Sequence, residues 1–265
     1  MKKKIIIGLI AIIVVIGLVV GVFVLKRDKN SGESENENLE SNSEQIVDND
    51  LIFKSKILTQ DGEYIAMIST EGKQFRYKIE ELTYLFSDEI SIKIPQLKQA
   101  EAESDDITFA NSIIQNAIVK ELETYSANGK ITLAQYNYEI SLEGNQIISI
   151  VFTGNVNVDG AAHPNNFILT VNVDLLTGNL LDASSIVENE DEFIKLLKSD
   201  KAEYEGVDGV EKYIKKDLDD DVLKSEVFEI SRKMYFTPEN ICTVVTVPHA
   251  IGDYAIVKLK YSDLK

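Results

Sequence analysis

Apolar residues recur at every third or fourth position between residues 105 and 126, the spacing at which side chains share one face of an α-helix. Seven residues form this stripe: Ala110, Ile113, Ile114, Ala117, Ile118, Leu122 and Tyr125. Similar spacing predicts two shorter helices, over residues 191–204 and 210–223. The pattern therefore predicts one long helix and two shorter helices.

Most of the other segments alternate apolar and polar residues, as half-buried β-strands do. The predicted strands cover residues 52–58, 64–70, 74–79, 89–94, 131–142, 147–158, 167–174, 233–236, 241–247 and 254–261. In segment 167–174, Thr170 and Asn172 lie opposite a fully apolar face, so we expect their face to be the more solvated one. This order of elements predicts an α+β fold with a mainly antiparallel sheet covered on one face.

A different pattern opens the chain, because residues 5–25 contain no charged side chain. As a helix this run would span about 31 Å, which is the hydrocarbon thickness of a bilayer. It is longer than the apolar core of a cleaved signal peptide, and no Ala-x-Ala site follows it. We therefore predict a single-pass signal anchor in the cell membrane, with a cleaved peptide as the alternative. Residues 1–4 form a basic cytoplasmic lead, which places the C-terminal domain outside the cell.

Residues 26–50 are rich in Ser, Asn and Glu, a composition that predicts a disordered acidic linker. A calcium loop is the alternative, but the acidic spacing does not match an EF-hand. Residues 51–265 then form the extracytoplasmic α+β domain. The first 27 residues hold five basic and no acidic side chains, so the rest of the chain carries a net charge of −22. That charge repels phosphate backbones, and we expect no nucleic-acid binding.

The sequence offers few candidates for chemistry. It contains no phosphate loop, zinc-ligand array or nucleophile elbow, and we expect no catalytic residue, metal or cofactor. Cys242 lies in an apolar run and is interpreted as a buried small hydrophobe. The acidic run 217–221 is interpreted as a solvated face at the end of a helix, with a calcium site as the alternative.

The two histidines lie in loops between predicted strands. His163 and His249 could chelate a metal with Asp159 or Asp253 as a third ligand. The alternative is that each histidine orients its loop by hydrogen bonding or touches a partner, and we favour that interpretation.

These loops belong to a set of motifs that resembles a known family. Residues 160–163 read Gly-Ala-Ala-His, 172–178 Asn-Val-Asp-Leu-Leu-Thr-Gly, 235–240 Tyr-Phe-Thr-Pro-Glu-Asn and 248–255 Pro-His-Ala-Ile-Gly-Asp-Tyr-Ala. Their order and spacing resemble the extracytoplasmic domain shared by RsiV-like anti-sigma factors, which bind lysozyme, and the N-terminal module of PdaC-like peptidoglycan deacetylases. The resemblance covers residues 89–265, with 51–86 as a candidate extension. Positions 161, 164, 249 and 253 depart from the family pattern.

The resemblance implies a non-catalytic binding or sensing module at the envelope of a Gram-positive-type bacterium, with lysozyme or peptidoglycan as its partner. We expect the shared ectodomain on a membrane stalk, without a sigma-binding segment or a deacetylase domain. The alternatives are an accessory domain of a glycan-modifying enzyme system, a subunit that docks a neighbouring membrane protein, and a cell-wall enzyme that uses His163 with a nearby carboxylate. The candidate partner-binding residues are His163, Pro164, Asn165, Pro248, His249 and Tyr254.

The uncharged run 5–25 yields a prediction about topology. Because nothing marks a cleavage site, the mature protein should stay in the membrane fraction. Protease added to intact cells stripped of their wall should digest the C-terminal domain. A mature N-terminus beyond residue 20, with the protein released into the medium, would contradict the anchor.

Overall fold

The long helix predicted over residues 105–126 is present in the structure, a computed structural model that describes residues 75–99, 104–144, 146–161, 163–230 and 232–264. This helix, α1 (Asp105–Ser126), buries the apolar stripe that its sequence predicts. Its fully buried residues are Ile107, Ala110, Ile114, Ala117, Ile118 and Leu122. The predicted anchor, linker and first two strands lie outside the described residues. No helix in the described part of the chain combines the length and hydropathy needed to cross a bilayer.

Ten strands and four further helices make up the rest of the described fold. The strands are β1 (Lys78–Leu85), β2 (Ser91–Lys98), β3 (Ile131–Glu143), β4 (Ile147–Val158), β5 (Asn165–Asp174), β6 (Asn179–Leu180), β7 (Glu203–Glu205), β8 (Met234–Phe236), β9 (Asn240–Thr246) and β10 (Tyr254–Lys260). The helices are α2 (Ala183–Ile186), α3 (Glu190–Leu197), α4 (Val210–Lys212) and α5 (Asp220–Phe228). A π-helical turn, Tyr213–Asp217, continues α4.

The strands form three antiparallel sheets. β1 and β2 make a two-stranded sheet, the first four-stranded sheet has the order β3-β4-β5-β6, and the second has the order β7-β10-β9-β8. Every strand pair in these sheets is antiparallel. The α+β class and the antiparallel pairing are therefore confirmed. The expectation of one sheet covered on one face is wrong, because the strands divide among three sheets.

The two larger sheets stack between layers of helix. One face of the first sheet packs on α1 and the β1-β2 hairpin, with Ile150 and Phe152 fully buried there. Its other face packs on the second sheet through Val151, Cys242 and Val244. The far face of the second sheet is covered by α3 and α5. Cys242 is fully buried, as its apolar neighbours predict.

The second sheet explains why one expectation about β5 fails. The face with Thr170 and Asn172 was expected to be solvated, but these side chains are only 0% and 2% exposed. They point at the second sheet, so both faces of β5 are buried. Sequence alternation alone cannot reveal this, because a buried polar residue has the same pattern as an exposed one.

Asn172 and Ser149 form the polar bridge between the two sheets. Asn172 Nδ2 donates to the Met234 carbonyl oxygen at 2.7 Å, and the Phe236 backbone N–H donates to Ser149 Oγ at 3.0 Å. Ser149 Oγ in turn donates to Asn172 Oδ1 at 2.6 Å. Met234 and Phe236 present these groups on the outer edge of β8, which has no strand neighbour on that side. The bridge therefore gives hydrogen-bond partners to backbone groups of an edge strand that would otherwise be buried without them.

Strand β2 differs from its prediction because a proline lies inside it. The prediction ended this strand at Pro95, but β2 continues to Lys98 and pairs Pro95 with Glu81. The Leu97 N–H and carbonyl both bond the Asn111 side chain, so they face away from β1. Pro95 lies two residues earlier and faces the same open edge. Its missing N–H therefore removes no bond between the strands. β1 likewise begins at Lys78 and extends beyond the predicted segment 74–79.

Neither shorter helix has the predicted bounds. α3 stops at Leu197, and residues 203–205 form strand β7 at the edge of the second sheet. The predicted helix 210–223 breaks at Leu218, where the backbone is extended. Asp219 then caps α5 by accepting hydrogen bonds from the backbone N–H groups of Asp221 and Val222. The acidic run 217–221 thus separates two helices, because aspartate favours the N-cap over the helix interior.

The bridge between the sheets yields a stability prediction. Asn172→Ala removes the donor to Met234 and leaves buried polar groups without partners, so the free energy of unfolding should fall by about 3 kcal/mol. Urea unfolding of the full chain in detergent, followed by near-ultraviolet circular dichroism of its tyrosines, measures the change. Asn137→Ala, at an exposed position of β3, is the control and should change stability by less than about 0.5 kcal/mol. Equal losses in the two variants would contradict a role for the bridge.

Candidate functional site

Two loops, one from each large sheet, meet at one end of the stacked sheets. The loop that joins β4 to β5 carries His163 and Pro164, and the loop that joins β9 to β10 carries His249 and Asp253. The rings of His163 and His249 stack with their centroids 4.5 Å apart and an angle of 10° between their planes. The structure therefore brings together two loops that are more than 80 residues apart in the sequence. We call this region the paired-loop surface.

Asp253 holds the two loops together. Its Oδ2 accepts a hydrogen bond from Asn166 Nδ2 at 2.9 Å, and its Oδ1 lies 2.8 Å from His249 Nδ1. The hydrogen bond from Asn166, followed by the one from His249, lowers the pKa of the Asp253 carboxyl. Asp253 has a positive φ of 70°, and Gly252 before it has a φ of 108°. The left-handed backbone at these two positions turns the carboxylate back toward both partners.

The hydrogen bonds also determine which ring nitrogen of each imidazole carries a proton. An ionised carboxylate can only accept, so His249 Nδ1 carries the proton that it shares with Asp253. His163 Nδ1 lies 3.1 Å from the Pro164 carbonyl oxygen, which is likewise an acceptor. In the neutral imidazole, Nε2 of each ring is then left as an acceptor. The stacked pair therefore offers two ring acceptors at the surface.

This geometry does not suit a metal ion. The lone pair of an imidazole nitrogen lies in the plane of the ring, and two nearly parallel stacked rings cannot direct lone pairs at a common ion. Among the described residues, no group of three His, Cys, Asp or Glu side chains is arranged to hold a metal. The arrangement fits the alternative interpretation of the sequence, in which each histidine orients its loop.

A pocket of about 280 Å³ lies beside the stacked rings. Its other walls come from Glu121 and Tyr125 on α1 and from Lys233, which precedes β8. Burial raises the pKa of Glu121, against the opposing effects of Arg232 and Lys233. Burial also raises the pKa of Tyr125 to about 12. The pocket therefore combines a carboxyl group of raised pKa with the more acidic Asp253.

The predicted partner-binding residues do not all lie in one place. His163, Pro164, Asn165 and Tyr254 line this pocket, and His249 stacks at its edge. Pro248 lies instead in a separate groove of about 730 Å³ beside Val222 and Ile230.

The sequence interpretation missed several residues of the pocket. The missed residues are Glu121, Tyr125, Asn166 and Lys233. Asp253 was considered in the sequence only as a candidate metal ligand. Glu121 and Tyr125 lie four residues apart on one face of α1, which was the available signal. Nothing in the sequence indicates that this end of α1 reaches the loops.

The hydrogen-bond partners of the two imidazoles bear on the chemistry of this surface. In the described part of the chain, neither imidazole hydrogen-bonds to a hydroxyl or a thiol, so neither forms a base–nucleophile pair. Burial raises the pKa of the Cys242 thiol to about 11, which keeps this thiol protonated at neutral pH.

Comparison with known proteins gives a likeness among solved structures. No protein-family model matches the chain, and no curated protein matches it. Among solved structures, the chain is similar to the crystal structure of a DUF3298 family member from Bacteroides fragilis NCTC 9343. The two share 13% identity and a TM-score of 0.38, over 71% of this chain and 90% of that chain. Because the TM-score is below 0.5, the family resemblance of the sequence remains a prediction.

The hydrogen bonds of Asp253 yield a prediction about the loops. An asparagine offers one acceptor oxygen where Asp253 uses two, so Asp253→Asn should lose one of the bonds that join the loops. Amide hydrogen exchange in residues 163–166 and 249–252 should then become faster. Asp159→Asn, at an exposed position of the same β4–β5 loop, is the control and should leave exchange unchanged.

The same variant has an expected pH dependence. Because folding lowers the pKa of Asp253, its stabilising effect should be complete above the ordinary carboxyl pKa of 3.8 and should disappear as the pH falls through the folded value. The difference in stability between the parent and Asp253→Asn should therefore shrink as the pH falls below 3.8. A difference that is lost well above that pH would contradict the assigned bonds.

Proposed function

We propose that this protein is a non-catalytic binding module of a bacterial cell envelope, held in the membrane by residues 5–25 with its C-terminal domain outside the cell. Its contact surface is the paired-loop surface, and its partner is a basic envelope-active protein such as lysozyme or a cell-wall component. The proposal combines the apolar N-terminal run, the acidic composition of the rest of the chain and the geometry of the two loops.

The observation that carries the proposal is the preorganisation of exposed polar and aromatic groups. The His249 side chain is 64% exposed, yet its ring is held by Asp253 and by stacking on His163. A partner that binds such groups does not have to immobilise them first, so less free energy is lost on association. Exposed groups in a fixed arrangement are typical of a recognition surface.

Charge supports a basic partner. A net charge of −22 outside the first 27 residues attracts cationic proteins over long distances and increases their association rate. That attraction alone gives weak binding, which salt screens within about 8 Å at physiological ionic strength. Specific binding therefore has to come from the shape and hydrogen bonds of the paired-loop surface. Lysozyme enters the proposal through the resemblance of the sequence to a lysozyme-binding domain.

The test is calorimetric titration of lysozyme into the full chain in detergent at about 0.15 M salt. His249→Ala and Tyr254→Ala each remove an aromatic ring from the surface or its pocket, and each should weaken binding by at least about tenfold. The control replaces Glu33, Glu35 and Glu37 of the linker by Gln, which removes charge without touching the loops. Its effect should be less than about threefold, because exposed charges are screened.

Equal losses in the loop variants and the linker variant would reduce the interaction to charge attraction and overturn recognition by the loops. The absence of heat with lysozyme, together with no co-sedimentation with purified peptidoglycan, would overturn the proposal as a whole. If the protein co-sediments with peptidoglycan and His249→Ala abolishes this, the result would support a binding module and identify the cell wall as its ligand.

A further inference from the structure

A second candidate site lies between the two large sheets. One end of this space is closed by the bridge of Asn172 and Ser149, and the other by the bond from Asn166 to Asp253. Between them the sheets leave a cleft of about 520 Å³. That volume is within the usual range for pockets that bind small molecules. The cleft is a different space from the pocket of the paired-loop surface, although Ile168 and Tyr254 line both.

The floor of the cleft is apolar and partly aromatic. Val151 and Ile168 face it from the first sheet, and Ile256 and Tyr235 face it from the second. These four side chains belong to the small core that joins the sheets. Tyr254 adds a half-buried ring at the end nearest the loops. The cleft therefore offers flat apolar area of the kind that packs against C–H groups.

The rim of the cleft carries acceptors that lack partners. Glu139 is exposed on β3 and has no basic side chain within ion-pair distance among the described residues. Asn240 also lines the cleft, and its Oδ1 is buried without a hydrogen-bond partner in the same part of the chain. Buried acceptors are seldom left unpaired, so each such atom needs an explanation. At the rim itself, the exposed Glu139 carboxylate can accept hydrogen bonds from a ligand that donates them.

The rim carries donors as well. Lys258 forms an ion pair with Glu205 across the edge of the second sheet, and both side chains line the cleft. Ser141 contributes a hydroxyl from β3. The lining therefore offers both donors and acceptors beside an apolar floor.

We infer that this cleft binds a saccharide segment. Sugar rings present apolar C–H faces and a surrounding ring of hydroxyl groups, and each hydroxyl both donates and accepts. A purely apolar ligand would bury the Glu139 carboxylate without a partner, at a substantial desolvation cost. A cationic ligand could pair with Glu139 but would offer no acceptor to the Lys258 ammonium or the Ser141 hydroxyl. A saccharide can cover the floor and pair with both kinds of rim group.

The experiment titrates chitotetraose and cellotetraose into the full chain, held in a detergent without a sugar headgroup. At least one of the two should bind with measurable heat. Glu139→Ala should weaken that binding by about tenfold, because hydrogen bonds to a charged acceptor are lost. Glu203→Ala is the matched control, since Glu203 is an exposed glutamate of β7 that pairs with Lys260 and does not line the cleft. The saccharide affinity of Glu203→Ala should equal that of the parent protein.

A second measurement locates the ligand without relying on variants. Hydrogen exchange with saturating saccharide should slow in residues 203–206 and 235–241, which border the cleft, and should not change in residues 163–166 and 249–253. His249→Ala should bind the saccharide as the parent does, so this inference and the proposed loop function can fail separately. Binding of chitotetraose alone would indicate an amino-sugar polymer, and binding of cellotetraose as well would indicate recognition of the ring and its hydroxyls.

No heat with either saccharide at millimolar concentration would overturn the inference. Equal losses in Glu139→Ala and Glu203→Ala, or protection confined to the loops, would also overturn it.

Discussion

The hydrogen bonds that join the two large sheets are the constraint on which the rest of the structure depends. β8 has no strand partner on its outer edge, and that edge faces the first sheet in the protein interior. Ser149 and Asn172 satisfy the Phe236 N–H and the Met234 carbonyl there. Without these two side chains, the backbone groups of this edge would lose their hydrogen bonds to water on burial and would have no protein partner to replace them. Two polar side chains within apolar strands thus set how the second sheet sits on the first.

Both candidate sites follow from this stacking. Because β5 crosses from the Asn172 bridge to Asn166, the same strand that anchors β8 also brings the β4–β5 loop to Asp253. The stacking of His163 on His249 requires the two sheets to lie against each other in this arrangement, because each ring belongs to a different sheet's loop. The cleft occupies the space between the two connections. The fold therefore supports both candidate sites, one on its loops and one along the opening between its sheets.

Some of this arrangement could be predicted from the sequence, for identifiable reasons. α1 was predicted with correct bounds because its apolar stripe has an unbroken helical period and a long run. β4 was also predicted with correct bounds, since it is flanked by turn residues. The break in the helix predicted over residues 210–223 was missed because an aspartate at an N-cap has the same local pattern as one on a helix surface. β1 was misplaced because pairing with β2, rather than burial, determines its extent.

The candidate site was predictable only in part. The two histidine loops stood out by composition, but their contact depends on the Asn166–Asp253 bond between distant segments. Asn172 gave no local signal and Glu121 gave only its spacing from Tyr125, because the roles of both residues depend on which layer covers them. Thr170 and Asn172 were assigned to solvent for the same reason. Alternation reports which residues share a face of a strand, and it cannot report whether a second sheet covers that face.

The most direct test of this account is hydrogen exchange at the Phe236 amide in the full chain, resolved to the single residue by fragmentation mass spectrometry. On an open edge strand this outward-facing amide would exchange quickly with water. The account predicts that it exchanges as slowly as the Val244 amide in the centre of the second sheet, because Ser149 Oγ accepts its hydrogen bond in the closed interior. Exchange of Phe236 at the rate of an exposed loop amide would contradict the bridge, and with it the stacking of the two sheets.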